Sequence, residues 1–338
     1  HLGSAGRLFA VARHFANLDL SRETLPDTVM GDVFEDVMYR AFNAKGKGAG
    51  AFYTPRDAIS LMAEILLTSD DHKLVASSMP SRSVYDPTAG TGGMLLVMER
   101  ALKEKNPGVQ VGLHGQELMD YAYAIGKADL LIQGGEPDAI QHGDTLKNDL
   151  FQGQTFDYVL SNPPYGSDWS AVYEDVKAEA ETELDGRFSH GLPKRSDGQM
   201  LFLSHVAHKM SPAGDDGKGG RAAIVLNGSP LFTGRPGSGE DSIRSWLLNS
   251  DLVDAIIALP TSMFYGTGIA TYIWILENNK EQHRKGKIQL IDASDIWSPM
   301  QKGMGDKRRY LTEEDQEQIV QIYKCFEDSK HSRILTAD

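Results

Sequence analysis

The residues best suited to do chemistry are Asn162-Pro163-Pro164-Tyr165. The Asn side-chain oxygen and the carbonyl of Pro163 can both accept hydrogen bonds from one –NH₂ group. Two such acceptors draw a planar amine toward tetrahedral geometry and free its lone pair. The prolines fix φ and remove two N–H donors, so the backbone there presents acceptors. Tyr165 supplies an aromatic face on which a ring can stack.

A second segment, Asp86-Pro87-Thr88-Ala89-Gly90-Thr91-Gly92-Gly93, has the glycines that let a backbone approach a ligand closely. It does not fit a dinucleotide fingerprint, because counting G-x-G-x-x-G from Gly90 puts Leu95 at the last position. It does not fit a P-loop either, since it has no Lys. An acid leading the glycines suits a ligand with an amino group and positive charge. Glu117 follows 24 positions beyond Gly93, where an acid takes ribose hydroxyls in nucleotide-binding α/β folds. Asp144 is a further acceptor, suited to an adenine amine. The three acids end three successive strand-like runs, which points to a nucleoside ligand without phosphate.

The elements that must position these groups alternate. Strand-like runs occur at Val84–Asp86, Val109–His114, Ala139–Gln141, Phe156–Leu160, Ala222–Leu226, Val253–Leu259 and Tyr272–Leu276. Ile288–Ile291 is a possible addition at the sheet edge. Helical patterns fill 93–104, 119–132, 199–210 and 240–249. Thr54-Pro55-Arg56-Asp57 reads as the start of another helix, with Thr54 as its cap. The pattern predicts an α/β fold with a seven-stranded, mostly parallel, doubly wound sheet and flanking helical segments. The runs 253–259 and 272–276 are too close for a helix between them and should pair antiparallel. Ligands of such sheets bind at the carboxyl ends of the strands, where all four chemical segments lie. Residues 1–45 read as helix, with Phe9, Ala12, Arg13 and Ala16 and then Val33, Phe34, Val37, Met38 and Phe42 on its stripes. Lys45–Gly50 reads as a flexible joint. The stretch 166–198 reads as a long loop, and 301–338 as a basic cluster followed by a charged helix.

Composition sets bounds. The 338 residues are 41% hydrophobic and 24% charged, which excludes wholesale disorder. With 34 Lys plus Arg against 47 Asp plus Glu, the formal charge is −13. That opposes gripping nucleic acid by bulk positive charge. Lys302, Lys307, Arg308 and Arg309, with Lys45 and Lys47, offer only weak local contacts to phosphate. The lone Cys325 excludes a disulfide framework and fits a reducing, cytoplasmic setting. It reads as a packing residue. His205 and His208 have no third ligand nearby, so no metal site is expected. No apolar run is long enough for a membrane span. A first residue other than Met fits a tagged, trimmed or partial chain.

Together the segments resemble the S-adenosylmethionine-dependent adenine-N6 methyltransferases of DNA, over about residues 31–300. The resemblance implies the methyltransferase fold, S-adenosylmethionine as cofactor, and DNA as partner. It makes Asn162, Pro163, Pro164 and Tyr165 the catalytic motif. Phe52, Tyr53, Thr54 and Pro55 become the upstream cofactor motif. Asp86, Thr88, Gly90, Thr91, Gly92 and Gly93 form the main cofactor loop, with Glu117 on the ribose and Asp144 on the cofactor's adenine. Phe264, in Met263-Phe264-Tyr265-Gly266, joins Tyr165 in holding the target base.

The resemblance is greatest to the modification subunit of type I restriction–modification systems, through Gly31–Asp36, Phe52–Pro55, Arg221–Pro230 and Leu259–Thr271. It implies a sequence-specificity subunit, a restriction subunit and two copies of this chain per complex. Residues 1–45 would end an N-terminal helical domain, 46–300 would be the catalytic domain and 301–338 a C-terminal helical segment. The 47 residues beyond Ile291 are fewer than a separate recognition domain needs. Competing readings are a stand-alone adenine methyltransferase, a protein-glutamine methyltransferase and a non-catalytic assembly subunit.

Overall fold

The computed structural model describes residues 6–19, 24, 53–69, 80–132, 135–182, 186–214 and 219–336. Within β5 (Arg221–Asn227), Ala223 and Val225 face one core while Ala222, Ile224 and Leu226 face the other. In β7 (Thr271–Glu277), Ile273 and Ile275 take the first face, and Trp274 and Leu276 the second. Period-two alternation between two buried faces makes these strands read as continuous apolar runs.

Among the described residues the main sheet has nine strands, in the order β11-β8-β6-β7-β5-β4-β1-β2-β3. Besides β5 and β7 these are β1 (Ser81–Asp86), β2 (Gln110–Glu117), β3 (Ile140–His142), β4 (Tyr158–Ser161), β6 (Val253–Ala258), β8 (Lys287–Asp292) and β11 (Ser332–Thr336). β7 runs antiparallel between β5 and β6, and β11 is antiparallel to β8. The other pairs are parallel. The seven expected strands form the core of the sheet, and β8 and β11 extend it to nine. β11 lacks an apolar signature because, as the edge strand, it exposes Arg333, Leu335 and Thr336.

Helices Arg56–Leu67, Gly93–Lys105 and Glu313–Cys325 cover one face. Helices Gln199–Lys209 and Gly239–Asn249 cover the other. The stretch read as a long loop contains the helix Tyr173–Thr182, whose single buried apolar residue, Val176, leaves little periodicity to detect. The stretch from 301 holds more than a helix. It contains β10 (Lys307–Tyr310), which pairs with β9 (Ser298–Met304), then the helix Glu313–Cys325 and strand β11.

That last helix is tied in by charge. Arg221 donates to Tyr323 Oη at 2.8 Å, and Tyr323 donates to Asp254 at 2.6 Å. Arg284 makes a two-pronged contact with Asp254, both bonds at 2.8 Å. All four side chains are buried, so removing any one would strand a charge or a polar group in the interior. Cys325 ends the helix and is exposed instead of packed.

The chain divides into two units, His1–Gly50 and Ala51–Asp338. In the first, the helix Leu8–Ala16 exposes Leu8, Phe9 and Phe15. The stripe 33–42, the joint 45–50 and Phe52 lie outside the described residues.

Candidate active site

Parallel pairing of β1, β2, β3 and β4 brings their carboxyl ends to one edge. β1 ends at Asp86, which is 1% exposed. Its Oδ1 accepts from the Thr88 backbone N–H at 2.9 Å and the Thr88 hydroxyl at 3.2 Å. Burial pushes the Asp86 carboxyl up to about 7, against those two hydrogen bonds. The Thr88 hydroxyl also lies 3.0 Å from Ser161 Oγ. With Asp86 ionised, Ser161 donates to Thr88 and Thr88 donates to Asp86, linking the ends of β4 and β1.

The glycine turn is built for close approach. Gly90 and Gly92 have φ of 54° and 79°, and Gly92 leads into the helix Gly93–Lys105. Thr91 is buried beside them. Glu117, also buried, ends β2 and accepts from Gly90 N–H at 2.8 Å and from Met119 N–H at 2.7 Å. Burial raises its pKa as well. It therefore braces the turn as well as facing the edge. Asp144, half-buried after β3, accepts from the backbone N–H groups of Leu146 and Lys147 at 3.0 and 3.3 Å. The neighbouring Thr145 hydroxyl donates to Pro87 O at 2.6 Å, pinning one loop to the other.

Asn162 follows β4, one strand from the glycine turn. Its Nδ2 donates to Thr54 Oγ1 at 2.8 Å, and its Oδ1 accepts from Tyr165 Oη at 2.8 Å. The amide is thereby oriented from both ends. Thr54 was expected to cap the helix Arg56–Leu67. Pro55 takes the cap position instead, with no side-chain cap, and the Thr54 hydroxyl serves Asn162. Pro163 is buried and Pro164 exposed. The half-buried Tyr165 meets Phe264 edge-on, with ring centroids 6.5 Å apart. Phe264 is itself only 4% exposed, so it backs Tyr165 and presents little surface of its own. Tyr53 packs against Tyr265 at 5.6 Å.

Three contributors escaped the sequence reading, and a fourth, Ser161, stood at the head of the motif segment with no role assigned. Thr145 and Ser161 adjoin residues already singled out, which was the available signal. Gly126 lets the helix Asp120–Ile132 approach the turn: a Cβ there would lie 3.3 Å from Gly90 O and 2.9 Å from Ile140 Cδ1. Arg187 donates to Thr145 O at 2.6 Å and pairs with Glu179 at 2.5 Å, holding the Asp144 loop from beneath. Its partners lie 42 and 8 positions away, so no local pattern announces it. His205 is buried against Tyr85 Oη at 3.1 Å and Arg187 at 3.2 Å. Burial and the Arg187 charge hold it neutral. Among the described residues no group of three or more His, Cys, Asp or Glu gathers as a metal site.

The expected basic cluster is largely occupied. Lys307 is buried between Asp57, at 3.1 Å, and Met263 O, at 3.0 Å. Arg309 lies 4.0 Å over the Trp297 ring, and Arg308 is turned onto Gly305 O. Lys302 stays exposed.

A cofactor with a positive charge and ribose hydroxyls fits this edge. Asp86, Glu117 and Asp144 supply acceptors. Leu118 and Met119 expose apolar surface directly after Glu117. No cation stands on the glycine turn to meet a phosphate.

The sheet and its flanking helices have the S-adenosylmethionine-dependent methyltransferase fold. The chain belongs to the N-6 DNA methylase family, whose profile matches residues 26–337. It is 27% identical over 318 residues to the type I restriction enzyme MjaIX methylase subunit of Methanocaldococcus jannaschii, covering 94% of this chain and 52% of that one. It is 27% identical to the HindI methylase subunit of Haemophilus influenzae, covering 79% of this chain and 55% of that one. The chain thus spans about half the length of these curated relatives. Among solved structures, a type I restriction–modification methyltransferase subunit from Streptococcus thermophilus superposes with a TM-score of 0.68 at 29% identity, covering 84% and 55% of the two chains. Among the described residues no helix is long and apolar enough to cross a membrane.

Proposed function

We propose that the protein transfers a methyl group from S-adenosylmethionine to the exocyclic N6 of an adenine flipped out of DNA, as the modification subunit of a type I restriction–modification complex. The observation that carries the reading is Asn162, its amide oriented by Thr54 and Tyr165, one strand from an acid-lined glycine turn. Family membership supports the same reaction, and the relatives named as type I methylase subunits support the subunit role.

Asp86 would face the cationic part of the cofactor, Glu117 its ribose and Asp144 its adenine, with Tyr53, Thr54 and Pro55 at the methionine end. When bound, S-adenosylmethionine supplies an activated methyl group on a sulfonium. The chain's own residues prepare the acceptor. An amide oxygen has two lone pairs, so Asn162 Oδ1 retains one for the adenine amine while Tyr165 occupies the other. Pro163 O takes the amine's second N–H. The base must leave the duplex to reach these groups, and the Tyr165 ring, backed by Phe264, stacks on it.

A sequence-specificity subunit, a restriction subunit and two copies of this chain complete the proposed assembly, acting in the cytoplasm with its DNA. The test incubates the native complex with a labelled methyl donor and either DNA or a glutamine-bearing peptide. Label should enter DNA as N6-methyladenine. Asn162→Ala should abolish it while sparing cofactor binding. Label in the peptide alone would replace the reading with protein-glutamine methylation.

A further inference from the structure

The occupied basic cluster leaves open where a polyanion would be held. Two loops beside the catalytic motif carry exposed cations. Residues 193–198 are hydrogen-bonded to the segment just after Tyr165: Trp169 N–H donates to Arg195 O at 2.9 Å and Gly198 N–H to Ser167 O at 3.0 Å. The loop after β5 joins them through Ser229, whose hydroxyl donates to Asp197 at 2.8 Å. β4 and β5 are parallel neighbours, so these loops share the edge with Asn162.

On this rim three acids are engaged by neighbouring donors, and Asp168, exposed, accepts from Ser170 N–H. Glu240 accepts from Lys194 N–H, Asp241 from Gly237 N–H, and Asp197 from Gln199 and Ser229. Lys194, Arg195 and Arg235 stay exposed, and among the described residues none is within ion-pair distance of an acid, while the Arg195 and Lys194 charges help hold the Asp168 and Glu240 carboxyls down. The Arg195 guanidinium rests 3.5 Å from the Tyr173 ring centroid, which fixes one face and leaves its edges free.

Phe232 stands among them, 79% exposed. It is not on a slack loop. Arg244 donates to Pro230 O at 2.9 Å and Thr233 O at 2.6 Å, and Thr233 Oγ1 lies 2.8 Å from Ser229 Oγ. Across the paired residues Asn227 and Thr271, the next loop exposes Ile269. A phenyl ring held in solvent by buttressed backbone, on a rim with exposed cations and on the sheet edge that carries Asn162, matches a duplex with one base removed from its stack.

We propose that this rim is a duplex-DNA contact, with Lys194, Arg195 and Arg235 neutralising phosphates beside the site and Phe232 packing on the base faces exposed when the target leaves the stack. The inference rests on the proposed function and adds the residues that hold the helix. Apolar wedges and phosphate-neutralising cations are recurrent means of stabilising distorted DNA.

The test uses the native complex and a duplex carrying 2-aminopurine at the target adenine. Lys194→Ala/Arg195→Ala/Arg235→Ala should weaken DNA binding at least about tenfold at 0.15 M salt and reduce the salt slope by about 2–3 per copy. The charge-keeping variant Lys194→Arg/Arg195→Lys/Arg235→Lys should retain the slope. Phe232→Ala should lower the 2-aminopurine fluorescence gain with the salt slope unchanged, and Phe232→Trp should restore it. Unchanged affinity, slope and fluorescence in a complex that still methylates adenine would overturn the rim and leave the function standing. Loss of complex assembly with intact DNA affinity would make the rim a protein interface and overturn it too. Rim-dependent DNA binding by a complex that never methylates adenine would keep the rim and remove the function.

Discussion

Thr54 and Asn162 are 108 positions apart, yet a hydrogen bond between them, with that from Tyr165, sets which way the Asn162 amide faces. With the Thr54 hydroxyl gone, nothing on that side distinguishes Oδ1 from Nδ2, and a flipped amide would offer a donor to the substrate amine. Thr54→Val is expected to lower turnover roughly 10- to 100-fold, the scale of one misplaced polar group. Thr54→Ser should keep near-normal turnover, and cofactor affinity should change little in either. Tyr165→Phe removes the hydroxyl that steadies Oδ1 and should cost about 1 kcal/mol. Tyr165→Ala should cost a further ~1–3 kcal/mol through lost stacking, read as KM for DNA. Asp86 carries a pH signature. Burial raises its pKa to about 7, so the folded protein keeps a proton that the unfolded chain has already lost. Its contribution to stability therefore falls as pH climbs from the ordinary carboxylate range to about 7, then levels. A cationic cofactor needs the ionised form. Affinity for S-adenosylmethionine should rise about tenfold from pH 6 to pH 8, with proton release on binding at the lower pH. Calorimetry in buffers of different ionisation enthalpy measures both, and Asp86→Asn should flatten the profile. The chemical types at the site were legible because each segment adjoins a strand end. The Thr54–Asn162 bond was not, because a Thr before Pro is equally the signature of a helix cap.

At the scale of elements, the edge works because helices and loops close in on the glycine turn from behind. The helix Asp120–Ile132 comes near enough only because residue 126 has no side chain. In Gly126→Val the new atoms would press on Ile140 and the backbone at Gly90 and Thr91. Overpacking of this kind typically costs about 1–3 kcal/mol. The expected result is a lower melting temperature and a larger loss of cofactor affinity, restored in part by trimming Ile140 to Val or Ala. A variant with normal cofactor affinity would show that the turn tolerates displacement. The strands around the site could be located because β4, β5 and β7, buried on both faces, read as apolar runs. β11 could not, since an edge strand with one solvent face has no apolar run. The buried set Arg221, Asp254, Arg284 and Tyr323 was equally hidden, its charges looking like surface residues until folding joins four distant positions.

At the scale of the whole molecule, a net charge of −13 must meet a polyanion. The folded chain uses its cations sparingly for that purpose. Lys307, Arg221 and Arg284 are buried in ion pairs and Arg309 lies on Trp297, whereas Lys194, Arg195 and Arg235 stay exposed on the edge that carries Asn162. Three exposed rim cations per copy suit a weak, salt-sensitive grip, because each phosphate contact adds only about 0.9 to the salt slope. Sequence-specific binding normally draws on base-edge contacts, worth about 1–3 kcal/mol per base pair. The matched relatives are named as methylase subunits, consistent with those contacts residing on another chain. The complete protein, purified free of partners, should therefore bind S-adenosylmethionine normally. It should bind target and non-target duplexes equally weakly at 0.15 M salt and methylate neither at an appreciable rate. Adding a sequence-reading subunit should raise affinity for target DNA by orders of magnitude and switch methylation on. Gel shift and label incorporation, run with and without that subunit, check both halves. Tight, site-specific methylation by the complete protein alone would show that it carries its own recognition and would replace the subunit reading with a self-sufficient enzyme.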